Sequence, residues 1–342
     1  MRPIALEPED VTPAAIAGTV LCNDLVLAGD TGRTRLNKGR ILEGSDAAVL
    51  RAAPGEIHLI EMEDGDIHED EASTCLARAV AGDGIVLKGP VESQTQLRAE
   101  YRGLLEVNVE TVQQINNLPD MSVFTLYDGQ PVTEGRPVGA TKVTPLVVPG
   151  NVVARAEQIA RDGAPVVRVR PFLGRPVGVV VRERIAGKAK ERFESAIHMK
   201  VGWFGSPVVG IEYLPDDAGA IAAAIERFVA DGVSLILAAG VNSTDPLDLT
   251  IQALDRLGAE TERRGVPAHP GSTCWLSYLG DVPVFGLALC GMFSRTTVLD
   301  LLLPRFLSGS RVRAADIARF GHGGLLGKEM AFRFPSYAAE GE

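Results

Sequence analysis

The sequence predicts an α/β fold: a three-layer, mostly parallel sheet preceded by a mixed α+β, β-rich N-terminal region. Three observations predict it. From about residue 176, runs of strand type alternate with runs of helix type; such alternation implies a largely parallel sheet covered on both sides. Two strand runs there, VGVVV at 177–181 and SLILAAG at 234–240, are almost continuously apolar, as strands buried on both faces are. Before residue 176, short runs of Val, Ile, Leu and Thr are instead bounded by Gly, Pro, Asn and Asp, the pattern of short strands between turns. A chain of 342 residues is too long for one small core. The expected organisation is a β-rich region at 1–175 of one or two subdomains, an α/β domain at 176–309, and a C-terminal tail at 310–342.

The N-terminal strand runs are GTVLCNDLVL, EIHLIEM, GIVLKG, GLLEVN, SVFTLYDGQPV and KVTPLVVP. Among them HEDEASTCLARAVAG reads as a helix, because acids open it and Leu76, Ala79 and Val80 share a face. VETVQQINNL reads as a second, shorter helix. In the second half VGVVV is a strand, AGKAKERFESAI a charged helix and VVGIEYL a strand. DDAGAIAAAIERFVADG is a helix with Ile221, Ile225, Phe228 and Val229 on one face, capped by Asp216 or Asp217. SLILAAG is the next strand. PLDLTIQALDRLG reads as a helix with Pro246 in its first turn and Asp245 as its cap. CWLSYLG and VPVFGLAL read as strands, and RTTVLDLLLPRFL as a helix.

Composition narrows the function. The net charge of -10 and an aromatic share of 5% argue against a nucleic-acid surface, which needs cations and stacking platforms. No apolar run reaches the ~18–20 residues of a membrane span. The first thirty residues lack a signal-peptide core, so a cytoplasmic protein is expected. Cys22, Cys75, Cys274 and Cys290 stand far apart without a CxxC pair, the pattern of buried reduced thiols rather than of metal ligands or disulfides.

Ligands of open parallel sheets bind outside the carboxyl ends of the strands. The loop after SLILAAG lies at such an end. Gly240 and Val241 turn the chain, Asn242, Ser243 and Thr244 offer neutral hydrogen-bonding groups, and Asp245 and Asp248 stand three apart at a helix start. On spacing alone those two carboxylates read first as a cap, Asp245, and a first-turn acid, Asp248. A second loop, VPAHPGSTCW, carries His269 and a Pro270-Gly271 turn; a third is LALCGMFSRTT. Residues 165–192 hold eight Arg and Lys against two Glu, a local charge of +6 in an acidic chain. That segment either steers an anionic ligand or is a solvated face. EDGDIHEDE reads as a solvated acidic turn before a cation site. GHGGLLGKE lacks the spacing and the Ser/Thr of a phosphate-binding P-loop.

The order of these motifs resembles the molybdopterin-binding domain of the molybdopterin molybdenumtransferase family, which includes the gephyrin E domain. The resemblance covers about 176–309 and rests on GIEYLPDDAGAIAAAIERFVADGVSLILAAGVNSTDPLDLTIQALDRLGAE, VPAHPG and YLGDVPVFGLALCG. It implies a protein of molybdenum cofactor biosynthesis that binds a pterin dithiolene phosphate, adenylylated or not, and a transferase that inserts molybdenum from molybdate with magnesium. By resemblance, Gly240, Asn242, Ser243, Thr244, Pro270, Gly271, Ser272, Gly286 and Cys290 hold the molybdopterin. Asp245 and Asp248 are the catalytic carboxylates, with Asp245 also the metal ligand. A homodimer, and a client molybdenum enzyme, are the partners it implies. Departures accompany it. The family's Gly-Gly is Ala239-Gly240, its PGN is Ala288-Leu289-Cys290, and its turn lysines are His269 and Thr273. An ungapped alignment puts Arg184 and Ile185 at the acidic positions of its first-strand loop, and a shifted one restores Glu183. Its β-rich C-terminal domain has no counterpart in 310–342. The alternative reading is a non-catalytic carrier that delivers pterin or finished cofactor to a molybdenum hydroxylase.

Overall fold

The structure is a computed structural model and describes residues 1–29, 32–182, 185–288 and 296–337. The chain divides into two compact units. One comprises Met1–Tyr101, Glu106–Asp128 and Glu134–Val169; the other comprises Arg102–Leu105, Gly129–Thr133 and Arg170–Glu342. Two short pieces of the β-rich half thus belong to the second unit, an exchange that no local pattern in the sequence signals.

In the first unit the helix Glu69–Val80 covers an antiparallel four-stranded sheet, in the order Met121–Thr125, Pro137–Val143, Gln94–Ala99, Ile85–Val91. Thr95, Leu97 and Ala99 alternate into the core, as a half-buried strand requires. Ala72, Leu76, Ala77 and Val80 meet them from the helix, while Ala79 is only half-buried. The polar groups at this contact are paired: Ser73 Oγ donates to Thr95 Oγ1 at 3.0 Å and Thr141 Oγ1 donates to Ser73 O at 2.9 Å. A separate cluster, including Val11, Ile16, Leu36, Leu42, Leu50 and Leu59, packs against the strands Arg2–Leu6, Ile57–Glu61 and Val20–Leu21. A helix that the sequence did not suggest, Gly150–Asp162, buries Val153, Ala156, Ile159 and Ala160.

The second unit is built on a six-stranded sheet in the order Val208–Tyr213, Val177–Val181, Leu235–Ala239, Val282–Gly286, Trp275–Leu279, Glu260–Arg264. The first three pairings are parallel and the last two antiparallel. The parallel part is the one expected; the strand Glu260–Arg264 was not, because ETERR is an edge with no buried residue. Alternate residues separate the two faces. Val177, Val179, Val181, Leu235, Leu237 and Phe285 pack with the helices Lys188–Trp203 and Val298–Leu307. Val180, Ile236, Ala238, Val284 and Trp275 pack with Ala218–Ala230 and Leu249–Arg256.

Phe228 explains two glycines in otherwise apolar strands. A Cβ on Gly178 would stand 2.8 Å from its ring, and one on Gly210 would stand 3.1 Å away. Ile221, Ile225 and Phe228 are buried as expected, Val229 is half-buried, and Asp217 is the cap, accepting from Ala220 N at 2.7 Å.

Residues 310–337 pack into the same core. Val312, Ile317 and Leu326 are buried in it, with Phe320, Phe334 and Tyr337 against it. The buried pair Lys200–Asp300 receives a third member from this segment, since the Tyr337 hydroxyl donates to Asp300 Oδ1 at 2.7 Å. No described helix is long and apolar enough to cross a membrane.

Candidate ligand site at the strand ends

The chain leaves Val177–Val181 through a helix on one face and reaches the neighbouring strand Val208–Tyr213. It returns through Ala218–Ala230 on the opposite face and enters Leu235–Ala239, on the other side of the first strand. The two connections diverge at the carboxyl ends of Val177–Val181 and Leu235–Ala239, the position at which open parallel sheets take their ligands. The loop at 240–248 lies there. So does the start of Trp275–Leu279, because Trp275 pairs with Gly286 and Gly286 with Ala238. The fold therefore brings Gly240, Asn242, Ser243 and Thr244 to the same sheet edge as Gly286 and the turn at 270–273.

The polar loop is organised around Asp248. Gly240 turns at φ +78°, a conformation open to glycine. The helix begins at Leu249, not Pro246, and Asp248 is its cap. This corrects the assignment of the cap to Asp245, which Pro246 had suggested: Pro246 and Leu247 form a turn ahead of the helix. Asp248 Oδ1 accepts from Thr250 N at 2.8 Å, and Oδ2 accepts from Asn242 N at 2.9 Å. Oδ2 also accepts from Arg182 Nη2, the residue after the first strand. With only 2% of its side chain exposed, Asp248 has no face turned to solvent. Its carboxylate is consumed by the fold.

Asp245 is different. It is exposed, and its Oδ1 accepts from Leu247 N at 2.9 Å, a local turn bond. Asn242 and Thr244 are exposed and joined to each other, with Thr244 Oγ1 donating to Asn242 Oδ1 at 2.7 Å. Asp245, Asn242 and Thr244 thus stand outward on a loop whose base is pinned by Asp248.

Arg182 is the residue that sequence reasoning placed in the wrong role. Its segment reads as either a steering patch or a solvated face, whereas Arg182 itself is a cross-link. Its backbone N–H donates to Ala239 O at 3.0 Å, and its guanidinium reaches Asp248 and, at 3.4 Å, Asp216. It ties the start of two helices to the end of the first strand. Its Nε is buried and has no acceptor among the described residues. An arginine immediately after an unbroken apolar strand was the signal that could have identified it.

The rest of the basic segment is also engaged in part. Arg168 pairs with Glu106 at 2.6 Å, Arg170 donates to Ser308 O at 3.1 Å, and Lys190 lies 4.4 Å from the centre of the Tyr213 ring. Burial, and then the Glu194 carboxylate that accepts its hydroxyl, push the Tyr213 phenol up to about 12.

The turn falls at Ser272 and Thr273 rather than at Pro270-Gly271, closed by Cys274 N donating to Gly271 O at 3.0 Å. Gly271 is buried at φ +115°, and a Cβ there would meet Val298 Cβ at 2.8 Å. Pro270 O accepts from Val298 N at 3.0 Å. Ser272 and Thr273 are exposed, and His269 is exposed with its backbone paired to 324–326. Gly286 has a packing role: a Cβ there would be 2.0 Å from Trp275 Cε2. Cys290, Glu183 and Arg184 lie outside the described residues.

Magnesium binds through one or two carboxylates and keeps several waters. Asp248 is occupied by Arg182 and two backbone donors, which leaves Asp245 as the only loop carboxylate with an unused oxygen. Among the described residues, no group of three or more His, Cys, Asp or Glu could hold a metal ion.

No family model matches the chain, and no curated protein matches it. Solved structures do. The chain is similar to the molybdopterin biosynthesis MoeA protein of Pyrococcus horikosii at 14% identity and TM-score 0.31, over 75% of this chain and 81% of that one. It is similar to a putative molybdenum cofactor biosynthesis protein of Corynebacterium diphtheriae at 13% identity and TM-score 0.27, over 40% of this chain and 97% of that one. A NadC deletion mutant matches at 13% identity and TM-score 0.17, over 55% and 78%. Likenesses this weak carry no argument about function, which rests on the site.

Proposed function

We propose that the strand-end site binds a phosphorylated pterin of the molybdopterin type, and that the protein acts in molybdenum cofactor biosynthesis by inserting molybdenum into that ligand. The position where the connections diverge carries this reading. Open parallel sheets take ligands at such a position, and here it is edged by the exposed polar residues Asn242, Thr244, Asp245 and Ser272. Backbone and hydroxyl donors can hold a phosphate or pterin edge without a counter-charge from the protein. Asp245 is the residue left to orient a magnesium ion that arrives bridging substrate phosphates, with molybdate as the second substrate.

One observation favours the alternative, a carrier that binds the pterin or finished cofactor and passes it to a molybdenum enzyme. Asp248 cannot serve as an acid, base or metal ligand while Arg182 and two N–H groups hold it.

The test pairs Asp245→Asn and Asp245→Ala. Because Asp245 is exposed and makes a local turn bond, neither variant should change stability by more than ~0.5 kcal/mol. Pterin binding, followed as fluorescent products of iodine oxidation, should survive both. Molybdate insertion, followed by reconstitution of a cofactor-free molybdenum enzyme, should be lost in both. Full insertion by Asp245→Asn removes Asp245 from the chemistry. Pterin binding without insertion by the wild type selects the carrier.

A further inference from the structure

The two edges of the six-stranded sheet in the second unit differ sharply in charge. Proteins blunt a sheet edge with charged side chains, because its unpaired N–H and C=O groups invite another strand. At one edge, Glu260–Arg264 carries four charged side chains in five residues, and none of the five is buried. At the other, Val208–Tyr213 reads VVGIEY, with one charge in six residues, and no described strand pairs with its outer side. Val209, 53% exposed, stands where this strand bulges against Val177–Val181. We propose that Val208–Tyr213 is the docking edge for a second copy of this chain, the two strands pairing antiparallel about a two-fold axis at Ile211.

The ladder fixes which backbone groups face out. Leu214 N–H donates inward to Val181 O at 2.8 Å, and Glu212 stands in register with Val180. Hydrogen-bonding directions alternate along a strand, so the N–H and C=O of Ile211 and Tyr213 point to the outer side. Neither residue's backbone bonds to another segment among the described residues. A two-fold axis at Ile211 pairs Ile211 with its copy and Tyr213 with Val209, an aromatic opposite a β-branched residue. It also sets Glu212 opposite Gly210, so no like charges meet. An axis at Glu212 would instead set two carboxylates opposite each other, which destabilises a strand pair.

The charges beside the edge identify the occupant. On one face of the sheet Arg227 pairs with Glu212 at 2.6 Å. On the other, Glu194 accepts from the Tyr213 hydroxyl at 3.1 Å and lies 3.8 Å from Lys190. The two ion pairs cancel, whereas the whole chain carries -10. A contact about a two-fold axis must be complementary to itself. An edge flanked by balanced pairs meets that condition, while two acidic surfaces elsewhere on the chain repel. A strongly acidic or basic partner strand would find no opposing field here. Main-chain pairing supplies affinity when a strand adds to a sheet edge, and a contact of one strand is small, so the dimer is weak.

The test uses the full chain and needs no ligand. Analytical ultracentrifugation from about 1 to about 200 µM, the range of weak specific association, should show a dimer near twice 36.3 kDa. Over the same range, hydrogen exchange read by mass spectrometry should slow in peptides that hold Ile211 and Tyr213, and not in those that hold Glu260–Arg264. Val209→Lys sets an ammonium group against the Tyr213 of the other copy and should weaken the dimer at least tenfold. Val209→Ile should keep it within threefold, and Arg264→Glu, at the opposite edge, should leave it unchanged. A melting curve shows whether Val209→Lys folds; where it does not, exchange in the wild type decides alone. A monomer throughout the range overturns the proposal and leaves the edge to a strand of another protein. A dimer whose exchange at Ile211 and Tyr213 does not vary with concentration overturns it, as does one equally tight in Val209→Lys.

Discussion

Asp248→Asn tests the view that the polar loop is held by a buried ion pair. Asparagine is nearly as good a cap as aspartate, so the helix start by itself loses little. The loss falls on Arg182. Asp248 is 2% exposed and Arg182 18% exposed in their side chains, so neither charge can turn to solvent in place. Removing one partner of such a pair costs ~3–5 kcal/mol, because the other charge stays buried. The retained amide oxygen and the contact to Asp216 offset part of that, which leaves ~2–4 kcal/mol. For a unit of this size each kcal/mol moves the melting temperature by ~2–4 °C. The transition of the second unit should therefore fall by ~4–16 °C in scanning calorimetry. Arg182→Met should cost less, since Asp248 keeps two backbone donors at 2.8 and 2.9 Å. In the double variant the two costs should not add, because the pair acts as one unit. A melting temperature for Asp248→Asn within 1 °C of the wild type would refute the reasoning.

Three further outcomes can be measured. Gly286→Ala places a Cβ where Trp275 lies, at 2.0 Å, so it should destabilise by ~1–3 kcal/mol in denaturant unfolding without any ligand present. Glu69→Gln should flatten the dependence of stability on pH. Burial raises the folded-state pKa of Glu69 above 4.5, opposed by the hydrogen bond from the Ser93 hydroxyl, with Asp70 raising it further and His68 and Lys142 opposing. A raised acid favours the folded state at low pH and loses that contribution as pH climbs from 4.5 through the folded pKa. Wild-type stability should then decline relative to the variant over that window, and parallel curves would sink the assignment. Finally, a homodimer is proposed from the family resemblance as well as from the strand edge; light scattering near twice 36.3 kDa supports it, and a monomer that still binds pterin rules it out.

Legibility followed burial. VGVVV and SLILAAG were readable because every residue of Val177–Val181 and Leu235–Ala239 is buried, and burial on both faces leaves an unbroken apolar run. Glu260–Arg264 was not, because an edge strand with no buried residue carries no apolar period. Gly150–Asp162 was missed because two of its four core residues are alanines, too small to stand out among Arg, Glu and Gln. At the site, the loop was readable from its composition and its place after a buried strand. The division of labour between two aspartates was not. Pro246 is a fair signal for a helix start, but the start is fixed by a partner 66 residues away in sequence. No pattern within a window of helix length contains that information. Gly286 is assigned to a ligand by resemblance alone, and the contact that demands a glycine there, with the Trp275 indole, involves a residue eleven positions away in sequence that no local pattern shows.

The contrast between the two aspartates bears directly on enzyme against carrier. A catalytic carboxylate must change its interactions during the reaction: it takes a proton, binds a cation or orients water. Asp248 cannot do so without releasing Arg182 and two backbone N–H groups, each then buried without its partner. Asp245 can, since its one bond is to the nearby Leu247 N–H and its other oxygen faces out. The insertion reading therefore concentrates its chemistry on a single exposed carboxylate, with a substrate-borne cation. The carrier reading needs none; in it the exposed Asn242, Thr244 and Ser272 would hold the ligand. A charge change at position 245 accordingly separates turnover from binding, whereas one at 248 tests the scaffold beneath both.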